Sequence, residues 1–115
     1  MAATADPPAL DAEDEKLVTL ARSARARSGA AEAAAVRDDV GRTYVAASVA
    51  LPSLRLSAVQ AVVAAAVSSG SDRLDAVAVV GAGDHLSDDD RSLLDDVSVT
   101  TVLLADADGR SRPGG

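Results

Sequence analysis

The chain has 115 residues, the length of one domain with a single core. Its formal net charge of −7 and its single aromatic residue, Tyr44, argue against nucleic acid binding, which needs positive charge and stacking surfaces. The absence of cysteine excludes disulfides, thiolate metal sites and cysteine nucleophiles. No stretch approaches the roughly 20 apolar residues of a membrane helix, and the N-terminal residues do not resemble a secretory signal, so we expect a cytoplasmic protein with no membrane partner.

The N-terminal third predicts a helix followed by a β-hairpin. After a flexible tail over residues 1–11, a helix is predicted from about Ala12 to Ser28, with acids in its first turn, arginines near its end and Gly29 as its stop. Residues 31–37 and 42–49 then flank an Asp-Asp-Val-Gly segment, a pattern typical of a hairpin.

Residues 54–69 predict a second helix, with Ser53 as its N-cap. This segment is apolar on nearly every side, which is typical of a helix that is buried on more than one side. Three small residues form a stripe that would let another helix approach closely: Ala58, Ala61 and Ala65. Its second buried side is covered either by a neighbouring subunit or by the other helices of the same chain, and both interpretations stay open.

Two further strands and a third helix complete the domain. The apolar run 74–80 predicts a central strand covered on both faces. Ser87 is predicted to cap a helix that runs to about Asp96, with Asp90 reaching back to it in a capping box. A last strand is predicted over residues 98–104, before a flexible C-terminal tail over residues 106–115. The sequence thus predicts one α/β domain over residues 12–105, with three layers and a mixed sheet of about four strands that carries helices on both faces.

The order of these elements resembles the cytidine deaminase family from about Glu15 to Leu104. Ala33-Ala-Ala-Val36 with Asp39-Val-Gly41 is similar to the family's first strand and hairpin, and the strand ending at Val49 is similar to the one that ends in an Asn-x-Glu substrate clamp. Leu56-Ser-Ala-Val-Gln-Ala61 is similar to the helix that opens with Cys-Ala-Glu or His-Ala-Glu. Arg91 lies in the segment that resembles the family's Pro-Cys-x-x-Cys-Arg-Gln motif.

The resemblance implies a zinc ion with three protein ligands and one open position for water. In this chain the ligand positions hold Ser57, Ser87 and Asp90, a poor set for a metal that prefers thiolate or imidazole. The position of the proton-shuttling glutamate holds Val59, and the clamp positions hold Ser48 and Ala50. We therefore expect a degenerate member of the family that is not an enzyme and has no zinc or other cofactor. The family's usual assembly also implies a dimer or a tetramer.

Other chemistry at the same end of the predicted sheet has weaker support. His85, the only histidine, lies beside Asp84 and near the acids at 88–90, so a general base or a Mg²⁺ site of carboxylates is one interpretation. An exposed loop histidine beside acids that favour a helix N-terminus is the simpler one. Gly81-Ala-Gly83 lacks the third glycine of a phosphate-binding loop.

The sequence is consistent with three functions and does not specify the physiological role. The first is a non-catalytic protein that acts through self-association or through a protein partner. The second is a nucleoside- or nucleotide-binding module without deaminase chemistry. The third is a metal-dependent enzyme that uses aspartates.

Overall fold

A computed structural model describes residues 11–81, 83, 85–107 and 111–112 of the chain. These residues form three helices and seven strands. The helices are α1 (Ala12–Ser28), α2 (Ala58–Ser68) and α3 (Asp88–Asp96). The strands are β1 (Glu32–Asp38), β2 (Thr43–Ala47), β3 (Val49–Leu51), β4 (Leu54–Leu56), β5 (Leu74–Gly81), β6 (Thr101–Ala105) and β7 (Ser111–Arg112).

Five of the strands form one mixed sheet in the order β2-β1-β5-β6-β7. Strand β1 pairs antiparallel with β2 and β5, whereas β5 and β6 are parallel and are joined through α3. The predicted mixed sheet is therefore confirmed, and its four predicted strands are β1, β2, β5 and β6. Within the segment predicted as a C-terminal tail, Ser111–Arg112 pairs with the outer edge of β6, while residues 108–110 and 113–115 lie outside the described residues.

The helices cover both faces of the sheet, as predicted. Successive residues of a strand point to opposite faces, so Val77 and Val79 of β5 pack with α2 and α3, while Ala76, Ala78 and Val80 pack with α1. Both faces of β5 are buried, which confirms it as the central strand. The α1 side consists mainly of alanines, and these small side chains allow the helix to lie close to the sheet.

The predicted bounds of the first helix are confirmed. The Asp11 side chain accepts a hydrogen bond from the Asp14 backbone N–H at 2.9 Å, so Asp11 is the N-cap of α1, while residues 1–10 of the predicted tail lie outside the described residues. Gly29 adopts the left-handed conformation, with φ 70°, that ends the helix. None of the helices in the described ranges is long and apolar enough to cross a membrane.

The second helix begins four residues later than predicted. Residues Leu54–Leu56 form β4, which pairs antiparallel with β3 across a turn at Pro52 and Ser53. The cap is Ser57, which forms a reciprocal capping box with Gln60. The alternation of Leu54, Arg55 and Leu56 suits a short strand, and pairing with β3 satisfies backbone groups that a helix start would leave open.

The turn between β1 and β2 is built around the Asp38 carboxylate, which is 1% exposed. Its Oδ1 accepts hydrogen bonds from the backbone N–H groups of Arg42 (2.8 Å) and Val40 (3.1 Å), and its Oδ2 accepts from Ser71 Oγ (2.7 Å) and Arg42 Nε (2.9 Å). Ser71 Oγ also lies 3.2 Å from the Tyr44 hydroxyl. Burial alone would raise the pKa of Asp38, but these hydrogen bonds, with Ser71 first, lower it to about 2.

Candidate functional site

The predicted site residues Ser57, Ser87 and Asp90 meet where the N-termini of α2 and α3 approach each other. Ser57 Oγ donates a hydrogen bond of 2.7 Å to Asp90 Oδ1 and accepts one of 3.0 Å from the Gln60 backbone N–H. Gln60 Oε1 in turn accepts from the Ser57 backbone N–H at 2.9 Å. The Ser57 side chain therefore caps α2 and links it to α3 at the same time.

The cap of α3 differs from its prediction in one respect. Ser87 Oγ accepts from the Asp90 backbone N–H at 3.1 Å, which confirms Ser87 as the N-cap. The Asp90 carboxylate, predicted to reach back towards Ser87, instead accepts the Ser57 hydroxyl hydrogen. Asp90 is 7% exposed, so its carboxylate needs a donor inside the protein, and the neighbouring helix supplies it.

Glu32, at the start of β1, is a site residue that the sequence analysis missed. Its side chain lies over Gly81, where an added Cβ would be 2.7 Å from Glu32 Cγ, and its Oε2 lies 3.6 Å from the Cβ position of Gly83. Burial, followed by the negative charge of Asp90, raises the pKa of Glu32, while the backbone N–H of Ala58 acts in the opposite direction. A signal was available, since an acid that begins an otherwise apolar strand needs polar neighbours.

The structure places the remaining predicted site residues in two different settings. Val59 is 1% exposed and belongs to the core between α2 and the sheet, so it presents no polar group to the site. Ser48 extends the pairing of β1, because its backbone N–H donates to the Glu32 carbonyl at 2.9 Å. Ala50 lies exposed on β3.

A cavity of about 510 Å³ lies in front of these groups. The hairpin formed by β3 and β4 supplies one wall, and the start of α2 and the start of β1 supply the others. Glu32 and Arg55 are charged among the described residues that line it, which are Ala31, Glu32, Ser48, Val49, Ala50, Arg55, Leu56, Ser57, Gln60 and Gly83. The two predicted clamp positions and one predicted ligand position therefore share one cavity.

The donor groups at this site do not fit a zinc ion. The hydroxyls of Ser57 and Ser87 are occupied as helix caps, and Ser57 gives its hydrogen to Asp90. Zinc in proteins is bound by thiolate, imidazole and carboxylate groups, so two hydroxyls in this role make a weak set. Across the described residues, no group of three or more His, Cys, Asp or Glu side chains is placed to hold a metal ion.

Among the described residues, no group of three or more His, Cys, Asp or Glu side chains around His85 is placed to hold a metal ion. His85 is exposed, and Asp84 lies outside the described residues. Asp88 and Asp89 are exposed in the first turn of α3, where acids interact favourably with the helix dipole. These acids serve the helix, as the simpler interpretation predicts.

The predicted small-residue stripe of α2 is only partly at the surface. Ala58 is fully buried in the core, which corrects its place in that stripe, whereas Ala61 and Ala65 are partly exposed. Ala64 is exposed beside them, and Val67 is 47% exposed. The helix contains no charged residue, so this outer face is uncharged and largely apolar.

Comparisons with known proteins agree on one relationship. A family model described as cytidine deaminase-like matches residues 10–109. The cytidine deaminase from Mycobacterium tuberculosis is 30% identical, with a TM-score of 0.66, over 89% of this chain and 90% of that one, and a mutant of the same protein is 31% identical, with a TM-score of 0.68, over 89% and 91%. The cytidine deaminase from Burkholderia pseudomallei is 22% identical over 84% of this chain and 87% of that one and shares the fold, with a TM-score of 0.73. No curated protein matches the sequence.

Proposed function

Because the chain belongs to the cytidine deaminase-like family, we propose that it is a non-catalytic member that acts in the cytoplasm through self-association. The observation that carries the proposal is the side chain at the position of the family's catalytic glutamate. Val59 is buried and has no proton to give or take. The cap hydroxyls of Ser57 and Ser87 stand where the metal ligands would be.

Deamination needs two things that these residues do not supply. A metal-bound water must become a nucleophile, and a carboxyl group must carry protons between that water, the ring nitrogen and the leaving ammonia. Glu32 is a carboxyl group at the site, but it enters from β1 and lies over Gly81. Without a metal-activated water, this carboxyl group has no nucleophile to serve.

An assay of ammonia release from cytidine and deoxycytidine tests the loss of catalysis. We expect no release above the blank, with or without added zinc, while the Mycobacterium tuberculosis cytidine deaminase, run alongside, turns over. Metal analysis of the purified protein should give far less than one zinc per chain. Turnover that co-elutes with the protein and disappears in Asp90→Ala would refute the proposal.

Self-association is supported by the outer face of α2. The protein carries a net charge of −7, so two copies repel each other over most of their surfaces. The α2 face has no charge and exposes Ala64 and Val67 beside the small side chains of Ala61 and Ala65. Small side chains let helix axes approach closely, so α2 is the face on which a second copy, in a dimer or a tetramer, meets least repulsion.

Sedimentation equilibrium separates this assembly from a monomer. We expect wild type to be larger than a monomer and Ala64→Glu to shift it towards the monomer, because the new charge would be buried in the contact. Val40→Glu is the matched control, since it adds the same charge at a turn residue that is 69% exposed. A wild-type chain that remains monomeric at all concentrations removes this part of the proposal.

The cavity favours a second candidate, a nucleoside- or nucleotide-binding module. Its 510 Å³ falls within the roughly 300–1,000 Å³ of small-molecule sites. Its lining has no aromatic side chain to stack on a base. A thermal-shift series with cytidine, uridine and their monophosphates decides between the two, because a ligand at about 100 times its dissociation constant adds about 2.7 kcal/mol of stability. A clear shift favours the second candidate, and the first predicts none.

A further inference from the structure

We infer that a metal-independent polar contact, the Ser57–Asp90 hydrogen bond, acts as the tie that joins α2 to α3 in this chain. The inference rests on the proposed absence of zinc, because these are the positions at which a metal would otherwise connect the two helices. It assigns Ser57 and Asp90 a joint structural role that differs from binding or catalysis.

The hydrogen bond between Ser57 and Asp90 is short, and its acceptor is a carboxylate. Ser57 Oγ and Asp90 Oδ1 are 2.7 Å apart, and the carboxylate is almost fully buried. Hydrogen bonds to an ionised acceptor are about twice as strong as neutral ones, and removing one partner leaves the other buried without its donor or acceptor. The two residues are 33 positions apart, so the bond connects elements that the intervening strand β5 separates in the chain.

Each end of the tie is fixed by its own helix. Ser57 is held by its reciprocal bonds with Gln60, at 2.9 and 3.0 Å, and Asp90 is held through its backbone N–H by Ser87, at 3.1 Å. The two side chains therefore meet in one geometry at little entropic cost. The Val59 and Leu94 side chains, which lie further along the two helices, are buried in the same core cluster.

A double-mutant cycle on the full chain, measured by urea unfolding at pH 7, tests the tie. The variants are Ser57→Ala, Asp90→Ala and their combination, and the matched control replaces Asp90→Ala with Asp89→Ala, an exposed acid in the same turn. We expect a favourable coupling of about tenfold or more in the unfolding equilibrium constant for Ser57 with Asp90, and none for Ser57 with Asp89. Equal couplings in the two cycles would overturn the inference.

Two further measurements keep the result decisive. If Asp90→Ala does not fold, Asp90→Asn takes its place, and the cycle of Ser57→Ala with Asp90→Asn is expected to show a coupling smaller than about tenfold but above the control. Addition of EDTA should leave the wild-type unfolding midpoint unchanged.

The loss of zinc and the presence of the tie can fail separately. Stoichiometric zinc in the wild-type protein would overturn the proposed function, whatever the cycles give. A metal-free protein with no Ser57–Asp90 coupling would leave the proposed function intact and remove the tie.

Discussion

The two carboxyl groups at the ends of β1 have pKa values shifted in opposite directions. Asp38, at the end of the strand, has four hydrogen-bond donors, and these lower its pKa from the ordinary 3.8 to about 2. Glu32, at its start, is partly buried near Asp90, which raises its pKa above the ordinary 4.5. The same strand thus carries one carboxyl group that stabilises the fold when ionised and one that is destabilising when ionised.

Asp38→Asn should destabilise the protein at pH 7, because an amide cannot replace an ionised acceptor for four donors. The Asp38 contribution is fully present above the unfolded pKa and is lost as pH falls from about 4 towards 2. The difference in melting temperature between wild type and variant should therefore shrink over that range. Asp39→Asn, at the exposed neighbour, is the control and should leave the melting temperature unchanged. A difference that persists undiminished at pH 2 would contradict the assignment.

Glu32→Gln should have the opposite effect. A folded pKa above the unfolded value means that wild-type stability is greatest below the ordinary pKa and decreases as pH rises through the folded pKa. The glutamine keeps the shape of the side chain and an oxygen for the Ala58 N–H without the charge. We expect the variant to melt above wild type at pH 8 and level with it below pH 4. A variant that melts lower at pH 8 would show that the charge is favourable there.

Among the secondary-structure elements, the start of α2 best tests whether a local sequence pattern locates the N-cap of a helix. Ser57→Ala removes the cap and the bond to Asp90, so we expect it to reduce the free energy of unfolding by about 1–3 kcal/mol. Ser53→Ala, at the cap predicted from the sequence, should change it by less than about 0.5 kcal/mol, because Ser53 lies exposed in the turn between β3 and β4. Urea unfolding of the two variants decides, and equal losses would place the helix start at Ser53 after all.

The contact between β1 and the end of β5 requires a glycine at one position. A Cβ on Gly81 would lie 2.8 Å from the Ala31 carbonyl oxygen and 2.7 Å from Glu32 Cγ, and the carbonyl cannot move away without disturbing the strand pairing. Gly81→Ala should therefore destabilise the protein by about 1–3 kcal/mol. At Gly83 the nearest contacts are 3.6 Å or longer, so Gly83→Ala is the control and should have little effect. Thermal melts of both variants provide the comparison, and similar melting temperatures would argue against the close approach.

Element types were more predictable from the sequence than element ends and side-chain partners. Helix α1 follows from its acidic start and Gly29, and β5 follows from its continuous apolar run. The Ser57-to-Gln60 spacing is that of a capping box and could have located the start of α2, but the apolar pattern from Leu54 onward concealed it. The position of Glu32 and the Ser57–Asp90 bond depend on how distant segments meet, which a single sequence does not specify.

At the scale of the whole molecule, the three layers are held by aliphatic side chains. The α1 side of the sheet is packed mainly with alanines, and the side facing α2 and α3 mainly with valines and leucines. The sheet order follows from this division, because β5 is the strand whose two faces are both apolar and it takes the centre. The positions that correspond to the family's zinc ligands and catalytic glutamate lie at the edge of this core and could be identified from the sequence. The hydrogen bonds that their side chains form could not.

The Asp38 corner gives the protein a built-in optical reporter. Tyr44 is the only aromatic residue of the chain, and its hydroxyl lies 3.2 Å from Ser71 Oγ, which is itself bonded to Asp38. All near-ultraviolet absorbance and intrinsic fluorescence therefore come from one phenol beside a carboxyl group whose pKa is strongly lowered. Tyrosine emission recorded during an acid titration would follow the protonation of the Asp38 carboxylate without any label. It would not respond to changes confined to the opposite end of the sheet.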